Sequence, residues 1–220
     1  MQSRQQLIQL LIDNGTGPAL LEHVERIERI SPLIADQIEA HSGHHSGHVD
    51  RQVLEAGALL HDLGLPLRTG EPITIPAFGE KAKGLTSDDI AHAVTGAIRA
   101  AELGFPLAVT RCALRHIPGP SLVECAVLGL PMPPEETIPV AIEEKIVAYA
   151  DMVNWVALLD LNPWRDADAL VQAGLPYISY FWEQKTGQSL GLDSPAAQRW
   201  RDLDTEMRPY ARPEFWGVKE

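Results

Sequence analysis

Cysteine is scarce in this chain, which has two, Cys112 and Cys125, among its 220 residues. They are far apart and neither belongs to a CxxC pair, so neither a disulfide framework nor a thiolate zinc knuckle is indicated. We expect two buried thiols. Long hydrophobic runs are missing as well, because no segment approaches the roughly eighteen apolar residues that a membrane span needs.

Basic residues are outnumbered, with 18 Lys and Arg against 30 Asp and Glu, which gives a formal net charge of −12. A surface of that sign repels a nucleic-acid backbone or an anionic bilayer unless basic groups cluster, and the sequence shows no such cluster. We therefore expect neither a nucleic-acid polymer nor a membrane as a partner. The opening residues, MQSRQQLIQLLIDNG, are too polar for a signal-peptide core, so a cytoplasmic location is expected.

Helical patterns fill most of the chain, whereas alternating β-branched runs are few, so the expected fold class is all-α. The first helix is expected to end at Asn14-Gly15 and the second to begin near Pro18. Ser31-Pro32 is interpreted as a kink or a fresh helix start. Asp50 is expected to cap a short apolar helix that ends at Gly64.

The middle of the chain is less regular. Residues 65–86 are rich in Gly and Pro, and a loop of this length is typically functional or mobile. Ser87 is expected to cap the next helix, with Asp88 and Asp89 stabilising its positive end. The Pro-rich segment 117–138 is expected to break the helical pattern. Further helices are predicted from Pro106 to about His116, over 139–160, and after Ser194-Pro195.

The stretch HSGHHSGH places His41, His44, His45 and His48 at positions i, i+3, i+4 and i+7, which would share one face of a helix. The glycines and serines between them disfavour a helix, so a loop is predicted. Such a loop can pick up zinc or nickel, but it offers no carboxylate and no fixed geometry. It is therefore a poor candidate for a catalytic metal site.

The isolated histidines are better candidates. His61-Asp62 follows the most apolar helix in the chain, where a bound cation is the usual way to neutralise a carboxylate. Taken singly, His23, His92 or His116 is more often a satisfied core residue than a ligand. Asp151 alone has the same ordinary explanation, a hydrogen-bonded acid in an apolar helix.

Together, these residues form an ordered pattern that resembles the HD superfamily of metal-dependent phosphohydrolases. That pattern is a distant His, an adjacent His-Asp pair and a final Asp on a later helix. Here EHVERI supplies the first His, EAGALLHDLG resembles the His-Asp helix, and IEEKIVAYADMV resembles the terminal Asp helix. The chain is especially similar to small HD-domain proteins described as predicted phosphohydrolases. The resemblance covers about residues 20–155 and leaves the C-terminal quarter unexplained.

The resemblance implies an HD-type helical bundle over residues 1–160, with 161–220 as a helical extension packed on the same domain. It implies one metal held by His23, His61, Asp62 and Asp151, and a second held by His92 and His116 with Asp62 as the bridge. Imidazole and carboxylate ligands suit one or two divalent ions, Mn, Fe, Co, Ni, Zn or Mg. Asp62 and His61 are then the expected catalytic pair, and metal-activated water would hydrolyse a small, nucleotide-like phosphate mono- or diester.

The chain departs from better-known relatives at the turn after the His-Asp pair. Many of them place a lysine just after HD-x-G, whereas here Leu65-Pro66 follows. The nearest cations, Arg68, Lys81 and Lys83, are candidates to hold phosphate, although each is more often a solvated loop charge. The Gly-Tyr-Pro signature of the cyclic-dinucleotide phosphodiesterase branch is missing.

Two other functions remain open at this stage. Some HD-fold proteins with a similar site use a di-iron centre to activate oxygen on an inositol or phosphonate substrate. The chain could also be a non-catalytic sensing module, but its full ligand set argues against that. A small phosphorylated substrate is the expected partner, and a homo-oligomer is left open. The five tryptophans are too scattered for a stacking platform and are expected to pack the C-terminal helices.

Overall fold

The computed structural model describes residues 2–42, 48–81, 83–117, 120–131, 133, 135–166 and 168–217. Within these residues it has nine α-helices and no β-strand, with one isolated bridge between Pro72 and Thr86. The helices are α1 (Arg4–Asp13), α2 (Pro18–Ser42), α3 (Arg51–Leu60), α4 (His92–Glu102), α5 (Leu107–Arg115), α6 (Leu122–Leu128), α7 (Ile142–Leu158), α8 (Ala169–Thr186) and α9 (Pro195–Met207). The all-α prediction is confirmed.

Helix α2 is longer than the sequence indicated, because it runs through Pro32 without restarting. The interpretation of Ser31-Pro32 as a fresh helix start is therefore wrong. The Ser31 hydroxyl donates to the carbonyl of Ile27, 2.8 Å away, and the Pro32 carbonyl accepts from Arg51, 3.2 Å away. These two side-chain hydrogen bonds stabilise the turn before the proline and satisfy the proline's own carbonyl.

Helix α3 lies at the centre of the bundle, in contact with α1, α2, α5 and α7. Asp50 caps it as predicted, accepting from the backbone of Gln52 and Val53. Seven of its ten residues are buried, which explains why the helix has almost no polar face. Its Gly57 packs against Cys112 of α5, where an added Cβ would lie 2.6 Å from the sulfur. Cys112 and Cys125 are both free and buried, as predicted.

Two local predictions are wrong in the middle of the chain. Ser87 does not cap α4, because its hydroxyl instead accepts from the backbone of Glu71, and α4 begins only at His92 after a 3₁₀ helix over Asp89–Ala91. The Pro-rich segment also contains a helix, α6. Its capping box, formed by Ser121 and Glu124, is a local signal strong enough to start a helix among prolines.

The C-terminal helices pack directly on the rest of the bundle. Helix α9 begins at the predicted cap, Ser194, and contacts α7 and α8. Trp200 of α9 is 1 % exposed and lies against Gly174 of α8, where an added Cβ would be 2.6 Å from the indole ring. One continuous hydrophobic cluster includes side chains from α1 through to α9. The division of the chain at residue 160 remains a prediction.

Two further sequence predictions concern the surface. His41 lies in the last turn of α2, and its ring donates to the carbonyl of Gln37 at 2.7 Å. The centre of the histidine tract, residues 43–47, falls outside the described residues, so the predicted loop stays a prediction. Among the helices that the structure describes, none is long and apolar enough to cross a membrane.

Gly64 offers a test of how tightly the bundle is packed beside the His-Asp pair. A Cβ at this position would overlap the carbonyl oxygen of His92 and lie 2.7 Å from the amide nitrogen of Gly96. Backbone obstacles cannot swing away, so we expect Gly64→Ala to lower the free energy of unfolding by about 3 kcal/mol, the upper end of overpacking costs.

Chemical denaturation of chelator-treated protein measures this change without a contribution from bound ions. Gly17→Ala is the matched control, because an added Cβ there meets nothing within 4 Å and costs at most about 1 kcal/mol through the helix cap. Equal stability of the two variants would contradict the close approach of Gly64 to the backbone of α4.

Candidate metal centre

Six side chains from five segments of the chain meet inside the bundle. They are His23 in α2, His61 and Asp62 just after α3, His92 at the start of α4, His116 just after α5, and Asp151 in α7. Four of the six therefore lie at helix ends, where the chain can turn a side chain into the interior. The structure brings together all six residues that the sequence singled out as ligands.

The first group consists of His23, His61 and Asp151. His23 Nε2 lies 3.1 Å from His61 Nε2 and 3.1 Å from Asp151 Oδ1, and His61 Nε2 lies 3.8 Å from the same oxygen. Atoms that bind one ion at about 2.0–2.1 Å are about 2.8–3.4 Å apart at octahedral or tetrahedral angles. The spacing of this group is therefore close to that of a ligand set.

The second group consists of His92, His116 and one oxygen of Asp62. The Nε2 atoms of the two histidines are 3.0 Å apart, and each lies 3.4 Å from Asp62 Oδ1. The other carboxylate oxygen, Oδ2, faces the first group, 3.3 Å from His23 Nε2 and 3.4 Å from His61 Nε2. Asp62 thus presents one oxygen to each group, which is the arrangement of a bridging carboxylate.

Backbone carbonyls fix the orientation of three of the imidazoles. Nδ1 of His61 contacts the carbonyl of Ala58 at 2.7 Å, Nδ1 of His92 that of Asp89 at 2.5 Å, and Nδ1 of His116 that of Ala113 at 2.7 Å. A carbonyl can only accept, so each Nδ1 carries a proton, and in the neutral ring Nε2 then keeps its lone pair. These lone pairs face the interior of the site, as metal ligation requires.

His23 is held differently, by a side chain instead of a carbonyl. Its Nδ1 lies 3.1 Å from Nδ2 of Asn154 on α7, and Oδ1 of the same amide accepts from Arg26 Nη1 at 3.4 Å. Ligation through Nε2 requires Nδ1 to carry the proton, in which case the amide must turn over and present its oxygen to the ring. Asn154 is therefore the side chain that contacts the second ring nitrogen of His23.

The charges in the site also favour a cation. Asp62 is only 6 % exposed. Burial tends to raise the pKa of its carboxyl, but His61 and the other imidazoles lower it to well below the usual range. The pKa of Asp151 is lowered in the same way, against burial, chiefly by its hydrogen bond to His23.

Two of the imidazoles, those of His23 and His116, have shifted pKa values. Burial tends to lower the pKa of His23, but its contacts with Asp151 and Asp62 outweigh this and raise the pKa to about 10. Burial lowers the pKa of His116, which favours the neutral ring that a metal needs. Within the described residues the two carboxylates pair with histidines and with no Lys or Arg. The donor set therefore fits one or two divalent ions.

A cavity of about 490 Å³ opens onto this centre. His23, Asp62, His92 and Asp151 line it, whereas His61 and His116 lie behind them and are fully buried. The apolar part of its lining comes mainly from the loop after α3 and from α7, α8 and α9; it includes Leu65, Met152, Trp155, Leu158, Tyr177 and Trp200. Volumes of this order accommodate a small organic ligand.

The predicted phosphate-binding cations have different positions. Arg68 and Lys83 line the cavity. Lys81 does not, because its ammonium group contacts the carbonyl of Leu159 and the carboxylate of Asp160 at 3.1 and 2.9 Å. Arg26, which the sequence analysis missed, also lines the cavity. Its position three residues after His23, on the same face of a helix, was a signal that could have identified it.

The chain also matches the model of a known protein family. The family model described as the HD domain matches residues 20–154, from the start of α2 to the asparagine beside His23. The chain belongs to the HD-domain family. The extent of the match agrees with the resemblance in the sequence, and it leaves α8 and α9 outside.

Several proteins are similar to this chain over part of its length. A tRNA (cytidine(56)-2′-O)-methyltransferase of Picrophilus torridus is 29 % identical over 163 residues, 73 % of this chain and 39 % of the relative. The protein of the same name from Thermoplasma volcanium is 31 % identical over 144 residues, 66 % of this chain and 34 % of the relative. An uncharacterised protein of Methanocaldococcus jannaschii is 34 % identical over 103 residues, 47 % of this chain and 49 % of the relative. The chain thus spans less than half the length of these relatives.

Among solved structures, the HD domain of the L. monocytogenes phosphodiesterase PgpH is similar, with a TM-score of 0.46 and 16 % identity. That similarity covers 93 % of this chain and 99 % of the other.

The metal content of variants tests whether Asp62 contributes to both groups of ligands. We expect about two divalent ions per chain in protein purified without a metal-affinity step, about one in His92→Ala, and none held tightly in Asp62→Ala, because Asp62 contributes to both groups. Elemental analysis gives the stoichiometry. A control variant with His41, His44, His45 and His48 replaced by Ala removes adventitious binding by the histidine tract. Metal that disappears with the tract and survives loss of Asp62 would contradict the assignment.

Asn154 allows a finer test of the same site. Partners that fix the tautomer of a metal-binding histidine typically contribute about 10- to 100-fold in metal affinity. We expect Asn154→Ala to weaken one ion by about that factor, because His23 loses the group that holds Nδ1. Competition with a coloured chelator measures both affinities. The ion held by Asp62, His92 and His116 is the internal control, and equal weakening of both ions would argue for a general loss of structure.

Proposed function

We propose that this protein is a metal-dependent phosphohydrolase that uses metal-activated water on a small phosphate mono- or diester with a nucleotide-like organic group. The observation that carries the proposal is the shared Asp62 carboxylate, which joins two groups of nitrogen and oxygen ligands at the end of a cavity. Arginine side chains line the same cavity, so one space contains the candidate metal ligands and guanidinium groups suited to a phosphate.

The ligand groups have distinct places in this proposal. His23, His61 and Asp151 would hold one ion, and His92 and His116 the other, with Asp62 spanning both. Divalent ions in such a site lower the pKa of a bound water to near 7 and stabilise charge on phosphoryl oxygens. The buried imidazoles His61 and His116 keep their lone pairs directed inward through the carbonyls behind them. No protein nucleophile is needed for hydrolysis of this kind.

Cationic side chains would orient the phosphate. Arg68 and Arg26 reach the cavity from the loop after α3 and from α2. Guanidinium groups donate charge-assisted hydrogen bonds to phosphate oxygens, which would hold the ester in position. Lys83 also lines the cavity, but it is largely exposed and paired with Glu80 at 3.0 Å, so its contribution is expected to be small.

The apolar wall supports an organic group of some size. Trp155, Met152 and Tyr177 are suited to contact a planar or apolar moiety and less suited to a chain of further phosphates. A cavity of about 490 Å³ has room for such a group together with one phosphate. This combination favours a nucleotide-like monophosphate or diester over a polyphosphate or a short polyol phosphate.

The named relatives do not change this assignment. The two tRNA methyltransferases are matched over 39 % and 34 % of their length, so their names describe proteins with much additional sequence. The HD ligands, by contrast, lie inside the part of this chain that the family model matches. The proposal therefore depends on the site and on membership of the HD-domain family.

Phosphate release from a panel of nucleoside monophosphates, cyclic nucleotides and simple aryl phosphates, with Mn, Co or Mg added, tests the reaction. We expect Arg68→Gln to raise KM about tenfold, since it removes a charge-assisted hydrogen bond to the substrate. Lys81→Gln is the matched control on the same loop and should leave KM unchanged, because Lys81 is paired outside the cavity.

The identity of the bound metal distinguishes the hydrolase from an alternative reaction. Four imidazoles also suit iron, so the same ligands could form a di-iron centre that activates oxygen on a polyol or phosphonate. Tightly bound iron with visible charge-transfer absorption and oxygen uptake, and no phosphate release from any ester, would replace the hydrolase by that oxygenase. Metal binding without either reaction would favour a sensing module.

A further inference from the structure

A buried cluster of three side chains lies beside the metal centre. Asp89 is 3 % exposed and forms an ion pair through Oδ2 with Arg68 Nη1. Its other oxygen, Oδ1, accepts a hydrogen bond of 2.8 Å from the hydroxyl of Tyr177. Both carboxylate oxygens of Asp89 are therefore occupied, one by a cation and one by a neutral donor.

The three residues come from separate parts of the chain. Arg68 follows the turn after the His-Asp pair, Asp89 lies in the 3₁₀ helix before α4, and Tyr177 lies in α8. Tyr177 is outside residues 20–154, the region that the HD-domain model matches. The backbone carbonyl of Asp89 also accepts from His92 Nδ1, so the cluster directly adjoins a metal ligand.

The guanidinium group of Arg68 is held from two sides. Nε donates to the carbonyl of Leu65 at 2.9 Å, and Nη1 pairs with Asp89. Neither contact uses Nη2, and Arg68 is one of the residues that line the cavity. A guanidinium fixed at two of its three nitrogens can offer the third to a ligand without losing further side-chain entropy.

We propose that Asp89 and Tyr177 are positioning residues that hold Arg68 as the phosphate-binding arm of this site. The proposal rests on the proposed phosphohydrolase function and adds the helix outside the HD region to its substrate-binding apparatus. Arg68 is the residue that contacts the phosphate. Tyr177 acts through Asp89 and does not contact the reacting atoms.

The role of the tyrosine hydroxyl follows from the chemistry of the buried carboxylate. An ionised Asp89 needs donors on both oxygens, because burying an unpaired carboxylate oxygen is costly. If the hydroxyl were removed, the carboxylate would turn to share both oxygens with Arg68, and the guanidinium would be drawn away from the cavity. The hydroxyl therefore fixes the orientation of the carboxylate, and the carboxylate fixes that of the arginine.

A purely structural role would predict different behaviour. Tyr177 also packs edge-on against Phe181, with ring centroids 5.3 Å apart, so it contributes to the core of α8. Tyr177→Phe keeps this ring and removes the hydroxyl alone. Tyr180→Phe removes a hydroxyl from the same helix, away from the cluster, and is the matched control.

The test measures the binding of inorganic phosphate to the Mn-loaded protein by calorimetry, together with metal content and steady-state kinetics on the best substrate of the panel. We expect Tyr177→Phe to weaken phosphate binding and raise KM by about 5- to 10-fold, with a smaller change in kcat and unchanged metal content. Asp89→Asn should likewise weaken phosphate binding and raise KM. Tyr180→Phe should leave them at the wild-type value.

A double-mutant cycle shows whether the tyrosine acts through the arginine. In an Arg68→Gln background we expect Tyr177→Phe to have no further effect on phosphate binding, since the arm is already lost. A full additional loss in that background would overturn the proposal, as would wild-type phosphate binding in Tyr177→Phe. Phosphate binding that depends on Arg68 and Tyr177 without hydrolysis of any ester would keep the arm and overturn the hydrolase.

Discussion

The buried carboxylate of Asp62 is the constraint on which the rest of the site depends. A carboxylate that is 6 % exposed must be compensated, and here both of its oxygens face imidazole nitrogens. This arrangement requires histidines from four other positions of the chain to approach one point. The bundle satisfies the requirement by placing the apolar helix α3 at its centre, so that the residue pair just beyond its end lies among α2, α4, α5 and α7.

The ends of the helices also provide hydrogen-bond partners for the histidines. The last carbonyls of a helix lack partners within the helix, and a metal-binding histidine needs a partner for its second nitrogen. His61 and His116 meet both needs, because each follows a helix directly and donates from Nδ1 to a carbonyl of its last turn. His23 lies within α2, where the carbonyls are already occupied, and it uses the side chain of Asn154 instead. The different partners thus follow from the position of each histidine in its helix.

Local chemistry and family resemblance were enough to predict the all-α class, several helix ends and the six side chains that meet inside the bundle. They failed where distant residues compete for the same group. Ser87 looked like a helix cap, but the Asp89 that should follow it in the first turn is instead bound by Arg68 and Tyr177, and α4 starts later. The parts of the cavity wall from α8 and α9 could not be predicted for the same reason, since no spacing in the sequence relates Tyr177 or Trp200 to the His-Asp pair.

The acidic composition of the chain is compatible with a phosphorylated substrate because the negative charges at the site are compensated by neighbouring groups. Asp62 and Asp151 are surrounded by imidazoles and would be neutralised by ions bound between them, whereas the guanidinium groups of Arg26 and Arg68 offset Glu22 and Asp89 at the cavity. The remaining acids affect a bound phosphate mainly at longer range, where water and salt screen them. A net charge of −12 therefore argues against long anionic polymers, which meet the whole surface, and not against a single phosphate that meets only the site.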